Sequence, residues 1–158
     1  MTKEDIYPGL GEELPEKEGK ITPRMQSRRA ALQGIYQWQL THAEVADIVK
    51  QFQEDGRLEG LEFELFKELL TEVTTKAEEL DSIYGEYLDR AVSRIDPVEK
   101  AIMRMGVFEL QSKIEIPYKV IINECVELAK RFGADESHKY VNGILDKTAK
   151  QLRATEMA

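Results

Sequence analysis

The chain has 158 residues, which is enough for one domain with a substantial buried core. Its formal net charge is −8, the opposite of the balance typical of a nucleic-acid-binding protein, so such a function would require a local basic surface. The single cysteine excludes an intramolecular disulfide and indicates a cytoplasmic chain. The acidic N-terminus is not typical of a secretory signal, and no apolar run approaches the ~18 residues of a membrane span.

Residues 1–20 are acidic and are interrupted by proline and glycine. This composition predicts a flexible acidic N-terminal extension, followed by a helical domain at 21–153 and a short C-terminal tail at 154–158. We interpret the extension as a solvated tail. The alternative is that it competes electrostatically with RNA for the basic segment behind it.

Residues 19–43 contain no aspartate or glutamate, which makes them the main basic feature of an acidic chain. They carry Arg24, Arg28 and Arg29 at the start of a predicted helix, with Tyr36 two turns further along. An arginine and an aromatic ring on one helix face can hold a phosphate and stack on a base. The alternative is that the ring is half-buried core and the arginines are solvated.

A second helix is predicted behind a capping box formed by Thr41 and Glu44, and a third helix runs on towards Tyr84. Asp96 and Pro97 are strong signals for the start of a further helix, which reaches about Gln111. This helix is apolar almost all round, so we expect the other helices to cover it.

Arg104 interrupts the apolar surface of that helix, either by reaching to water from the edge of the core or by contacting a phosphate.

Residues 117–149 predict two more amphipathic helices, separated by Gly133 as a left-handed terminator and Asp135 as a cap. Cys125 falls on the apolar stripe of the first of these helices and is expected in the core. On the second helix, a polar and aromatic surface lies beside the buried stripe. Its members are Glu136, Lys139, Tyr140 and Gly143.

No constellation of an enzyme is present in this pattern. The glycines never cluster as a phosphate-binding loop, and His42, His138 and Cys125 lack metal-ligand spacing. We therefore expect a binding protein with no catalytic residue, no metal and no cofactor.

Four segments together resemble the NusB family of bacterial transcription antitermination factors, over roughly residues 24 to 152. They are RRAALQGIYQWQL, VEKAIMRMGVFEL, NECVELAKRFG and SHKYVNGILDK. The resemblance implies an all-α, single-domain helical bundle with one central apolar helix surrounded by the others. It also implies binding to boxA RNA together with NusE, a small-subunit ribosomal protein. Other Nus factors and RNA polymerase would join this complex, which lets the polymerase read through terminators, notably in ribosomal RNA operons.

The resemblance also implies site residues, which we expect to form one positive groove between the first and last helices. For RNA they are Arg24, Arg28, Arg29, Tyr36, Arg104, Glu136, Lys139 and Tyr140. For NusE the one implied contact is Glu99. Two alternatives are a helical accessory module for an RNA-modifying enzyme, for which this chain length leaves no catalytic domain, and a scaffold that binds only protein.

Overall fold

A computed structural model describes residues 21–157 and shows helices and no strand over that range, which confirms the all-α fold. The eight α-helices are α1 (Pro23–Thr41), α2 (Val45–Glu54), α3 (Phe63–Thr75), α4 (Ala77–Tyr84), α5 (Pro97–Ser112), α6 (Tyr118–Phe132), α7 (Ser137–Leu152) and α8 (Ala154–Met157). Two short 3₁₀ turns, Gly85–Tyr87 and Val92–Arg94, connect α4 to α5. None of these helices is both long and apolar enough to cross a lipid bilayer.

Helix α5 lies at the centre of the bundle, as its apolar sequence predicts. Every residue from 101 to 110 is buried, and α1, α3, α4, α6 and α7 all pack against it. The helix begins as expected, because the Asp96 carboxylate accepts a hydrogen bond of 2.8 Å from the Val98 amide and Pro97 takes the first helical position. The remaining helices are therefore positioned by the faces they bury on α5.

Two predictions for the second and third helices are wrong in detail. Thr41 does not form a capping box with Glu44, because its hydroxyl donates to the Gln37 carbonyl at 2.8 Å and accepts from the Ala43 amide. The predicted third helix is two helices, α3 and α4, which break at Lys76. Its predicted end near Tyr84 is confirmed.

The turn between α6 and α7 also differs from its prediction. Gly133 is not left-handed, with a φ of −89°. Steric crowding, rather than backbone conformation, requires glycine at this position. A Cβ would lie 2.8 Å from both the Ala129 carbonyl oxygen and Ser137 Oγ. The residue before α7 is Glu136, in the left-handed region at a φ of 67°, rather than Asp135.

Residues 154–157, predicted as part of a tail, form α8 against the bundle. The preceding Arg153 is buried and donates to the carbonyls of Leu110 (2.7 Å), Lys113 (2.9 Å) and Ile116 (2.9 Å). The Glu156 carboxylate accepts from the first amide of α6. The predicted N-terminal extension lies outside the described residues, and the division into domain and extensions stays a prediction.

Candidate nucleic-acid interface

The N-terminal end of α5 is where three distant parts of the chain meet. The end of α1 reaches it through Gln39, whose side-chain amide donates to the Pro97 carbonyl at 2.9 Å. The start of α7 reaches it through Ser137, whose hydroxyl donates to Glu99 at 2.7 Å. The segment after α4 completes this end of the bundle by contacting Tyr140. The predicted α7 residues are therefore presented on one surface with α5.

Tyr140 is half-buried at this surface and packs against the core. Its hydroxyl lies 3.4 Å from Asp89 Oδ1, and the guanidinium carbon of Arg90 lies 5.3 Å from its ring centroid. Burial and the Asp89 charge raise the pKa of the phenol, so Tyr140 is neutral at physiological pH. The ring can therefore stack on a base while its hydroxyl is held in place.

Arg90 is a residue that the sequence analysis did not single out. Its side chain is 48% exposed and bonds Asp89 at 2.8 Å, and these bonds lower the pKa of the Asp89 carboxyl. A guanidinium beside an aromatic ring suits recognition of a phosphate next to a base. No sequence signal points to Arg90, because its proximity to Tyr140 arises only when the segment before α5 packs against α7.

Glu136 and Lys139 lie at the exposed start of α7. They form an ion pair of 2.6 Å in which both side chains are more than 60% exposed. Such a pair contributes little to stability and can rearrange readily. Both groups are therefore available to a ligand, as the sequence predicts for an interface.

Glu99 is half-buried on the first turns of α5, beside α7. Burial, with a smaller contribution from the Asp96 charge, raises the pKa of its carboxyl, while the hydrogen bond from Ser137 opposes that shift. A carboxylate held partly out of water in this way favours a cationic or hydrogen-bond-donating partner.

Arg28, by contrast, is buried at the other end of α5. The prediction that it contacts RNA is therefore corrected. Only 2% of its side chain is exposed. It forms an ion pair with Glu109, contacts Glu124 at 2.8 Å and lies 3.8 Å from Cys125 Sγ. The guanidinium therefore neutralises buried carboxylates and cannot reach a phosphate without opening the core.

The predictions that Tyr36 and Arg104 contact RNA are corrected for the same reason, because both side chains are buried. Tyr36 is 3% exposed, and burial together with the Asp96 charge raises the pKa of its phenol. Arg104 is 9% exposed, and its guanidinium makes two bonds to Asp81, at 2.9 and 2.7 Å, and one to Gln39. Side chains covered this completely hold helices together rather than contact RNA.

The expected single positive groove stays a prediction, and its residues lie at two levels along α5. Arg24 lies near Glu109 and Arg29 directly follows Arg28, both half-buried, whereas Tyr140 lies on α7, whose first residue contacts Glu99. Ten residues of α5 separate Glu99 from Glu109, which is about 15 Å along a helix axis. The Tyr140 end also mixes charges, because carboxylates stand beside its cations. The candidate interface therefore has two separated basic parts.

Cys125 is fully buried, and desolvation raises the pKa of its thiol to about 12. This confirms the core position predicted for it. Within residues 21–157, no group of three or more histidine, cysteine, aspartate or glutamate side chains is placed to hold a metal ion.

Comparison with known proteins connects this arrangement to one family. The NusB family model matches residues 25–150. The transcription antitermination protein NusB of Hydrogenovibrio crunogenus is 60% identical over 156 residues, covering 99% of this chain and 97% of that protein. The NusB of Marinomonas sp. is 48% identical over 150 residues, covering 91% of this chain and 86% of that protein.

Solved structures show the same fold. The structure of NusB from T. maritima has a TM-score of 0.73 and 26% identity, and the match covers 84% of this chain and 94% of that one. A crystal structure of the antitermination factors NusB and NusE in complex with dsRNA contains a chain with a TM-score of 0.74 and 26% identity. That match covers 82% of this chain and 97% of the solved one.

Proposed function

The chain belongs to the NusB family, and from this premise we propose that it is a transcription antitermination factor. It binds boxA RNA together with NusE in the cytoplasm. With the other Nus factors and RNA polymerase, the complex allows the polymerase to read through terminators, notably in ribosomal RNA operons. The activity is binding, and no reaction of the chain is part of it.

The observation that carries the RNA-binding part is the half-buried Tyr140 ring beside the exposed Arg90, with the exposed Lys139 next to Tyr140 in the chain. The tyrosine stacks on a base, and the two cations contact the adjoining phosphates. Glu136 accepts hydrogen bonds from the amino groups of unpaired bases. An aromatic ring flanked by cations is the combination that single-stranded RNA requires, and it occurs here on a chain of net charge −8.

Arg24 and Arg29 supply the second basic part, about 15 Å away along the axis of α5. They contact the RNA backbone further along the strand, so an RNA of several nucleotides would touch both parts at once. The phosphates reached by this end fix the position of the strand, while the bases at the Tyr140 end supply sequence preference.

NusE is proposed to bind beside the RNA and to use Glu99. This assignment comes from the family resemblance, and the half-buried, partly desolvated carboxylate supports it. A basic ribosomal protein would be attracted to the acidic remainder of this chain, which would also repel RNA outside the interface. Tight RNA binding then requires both proteins.

Neither alternative has comparable support. The H. crunogenus relative is matched over 97% of its own length and is an antitermination protein, which argues against an accessory module of a modifying enzyme. A scaffold that binds only protein would have no use for the arrangement of Arg90, Tyr140 and Lys139.

The test is a gel-shift titration with a single-stranded RNA that contains boxA, with and without NusE, against the same RNA with a scrambled boxA. We expect binding to the boxA RNA that NusE strengthens. Lys139→Glu should weaken it, whereas Lys50→Glu, an exposed charge reversal on α2, serves as the matched control. Equal affinity for the scrambled RNA, or no RNA binding with NusE present, would contradict the proposed function.

A further inference from the structure

Gly143 differs from the other glycines within the long helices. A Cβ at Gly34 would lie 3.1 Å from Leu70 Cδ1, and a Cβ at Gly106 would lie 2.9 Å from Cys125 Sγ. Both positions therefore need glycine so that neighbouring helices can approach. A Cβ at Gly143, which is exposed in the middle of α7, would meet nothing within 4 Å.

The backbone of α7 does not require glycine at this position either. Gly143 is in regular helix, and the glycines of positive φ in the described chain are Gly56 and Gly60. An alanine in an exposed helix interior is more stable than glycine by about 1 kcal/mol. The free protein therefore loses stability to Gly143 and gains no contact within residues 21–157 in return.

The residues around Gly143 indicate which kind of ligand could use the space left by the missing side chain. Lys139 and Tyr140 lie one turn before it, and Lys147 lies one turn after it on the same face. Lys139 is 71% exposed, and its pairing with Glu136 is of the weak surface kind. The bare stretch of helix thus lies between two lysines and continues directly from the Tyr140 ring.

We propose that Gly143 is the point at which bound RNA comes closest to α7. The sugar–phosphate backbone lies against the bare helix, Lys139 and Lys147 contact phosphates on either side, and the neighbouring base stacks on Tyr140. This inference rests on the proposed function and extends its RNA surface by two helical turns. It gives Gly143 a role in specificity for an unpaired strand thin enough to reach the helix backbone.

RNA fits this face better than a protein partner does. The exposed positions around Gly143 carry no aliphatic side chain. They are Lys139, Asn142, Lys147 and Lys150, and the half-buried Asp146 pairs with Lys150 at 3.4 Å. A protein element packed closely on the glycine would bury charged groups without an apolar contact to offset their desolvation. Phosphates instead keep the lysines charged and hydrated at the edge.

The test measures folding stability and RNA affinity on the same variants. Gly143→Ala should raise the free energy of unfolding, as should Thr71→Ala, a matched control at an exposed position inside α3. With boxA RNA and NusE, Gly143→Ala should weaken binding about threefold and the bulkier Gly143→Gln about tenfold or more, since a tenfold change equals about 1.4 kcal/mol. Thr71→Ala should bind as the wild type does.

Lys147→Gln gives an independent readout, because the loss of one phosphate contact lowers the salt slope of single-strand binding by about 0.7. If the wild type binds boxA RNA and both Gly143 variants bind equally well, this inference is wrong and the proposed function stands. If the variants lose NusE but keep RNA affinity measured without NusE, the face belongs to protein and the inference is also overturned. If the wild type binds no RNA, both fail.

Discussion

The two ends of α5 carry the same kinds of side chain in opposite environments. At the C-terminal end, Arg28 lies in the interior against Glu109, with 2% and 1% of the two side chains exposed. At the N-terminal end, Arg90 lies at the surface against Tyr140, with 48% of the arginine exposed. The first group is enclosed between α1, α5 and α6, whereas the second remains partly exposed to solvent.

This difference determines what each end contributes. Buried charges that are mutually paired hold α1, α5 and α6 in one arrangement, and removal of one partner leaves the other uncompensated. Exposed groups such as Lys139 add little to folding and are free to bind a ligand. Glu99 at the exposed end of α5 and Gly143 in the middle of α7 even lower the stability of the free protein. Substitutions should therefore act on stability at one end and on binding at the other.

Arg28→Ala should produce the largest effect. It leaves Glu109 buried without its partner, so we expect the free energy of unfolding to fall by about 3–5 kcal/mol in urea titrations. Labelling of Cys125 by a thiol reagent should also become faster, because this buried thiol, whose pKa is raised to about 12, reacts only when the core opens.

The neighbouring Arg29→Ala is the control and should change stability by less than about 1 kcal/mol. Similar losses in the two variants would show that Arg28 does not stabilise the core through Glu109. A double variant, Arg28→Met with Glu109→Leu, should recover much of the stability, since it removes both buried charges together.

Arg153→Ala should rank second. This arginine satisfies the carbonyls of Leu110, Lys113 and Ile116, which close the turn between α5 and α6. Because each unsatisfied buried group costs about 1–3 kcal/mol and water can reach part of this turn, we expect a loss of about 2–4 kcal/mol.

Deletion of residues 154–158 is the control for Arg153, since it removes the Glu156 contacts but leaves Arg153 in place. The deletion should cost less than Arg153→Ala in thermal unfolding, and RNA affinity should survive in both folded proteins. A deletion as damaging as the substitution would mean that α8, rather than the arginine, stabilises the turn.

The sequence predicts what local pattern and composition determine. The apolar run of α5 indicates its central place, Asp96 indicates where it begins, and the stripe containing Cys125 indicates a buried helix face. These features depend on residues within a few turns of one another, and the structure confirms them.

Tertiary pairing is what the sequence does not show. Arg28 meets Glu109 from 81 positions away, so a segment that is basic by composition places its central arginine in the core. Tyr36 and Tyr140 have similar helical spacing, yet the Tyr36 side chain is buried and the Tyr140 side chain is only half-buried. Arg90 lies in an irregular segment without any periodic signal. Burial of a charged or aromatic residue depends on which neighbours arrive from elsewhere in the chain.

Tyr140→Ala should act more strongly on binding than on folding. Stacking of one base on an aromatic side chain is worth about 1–3 kcal/mol, so the affinity for boxA RNA with NusE should fall about tenfold or more. Tyr118→Ala, at a half-buried tyrosine that begins α6, is the matched control and should leave RNA affinity unchanged. If both variants bind equally well, the surface of α7 is not where the bases stack.

Glu99→Gln should have the smallest effect on stability, and in the stabilising direction. Burial raises the pKa of Glu99, so the folded protein holds this proton more tightly than the unfolded chain. The wild type therefore loses stability as the pH rises from the ordinary carboxyl pKa through the raised one, whereas glutamine has no charge to lose. The variant should be more stable at neutral pH, by less than about 1 kcal/mol because the side chain is half-exposed, and the difference should vanish in acid.

Unfolding measured across that pH range checks the sign, since a gain that persists at low pH would have another origin than the Glu99 charge. The same variant should bind NusE less tightly, because a neutral amide attracts a basic protein less than a carboxylate does. Glu127→Gln, at an exposed position on α6, is the control for a general loss of negative charge. Higher stability together with weaker NusE binding would show that Glu99 is kept at the exposed end of α5 for its partner, at the expense of the fold.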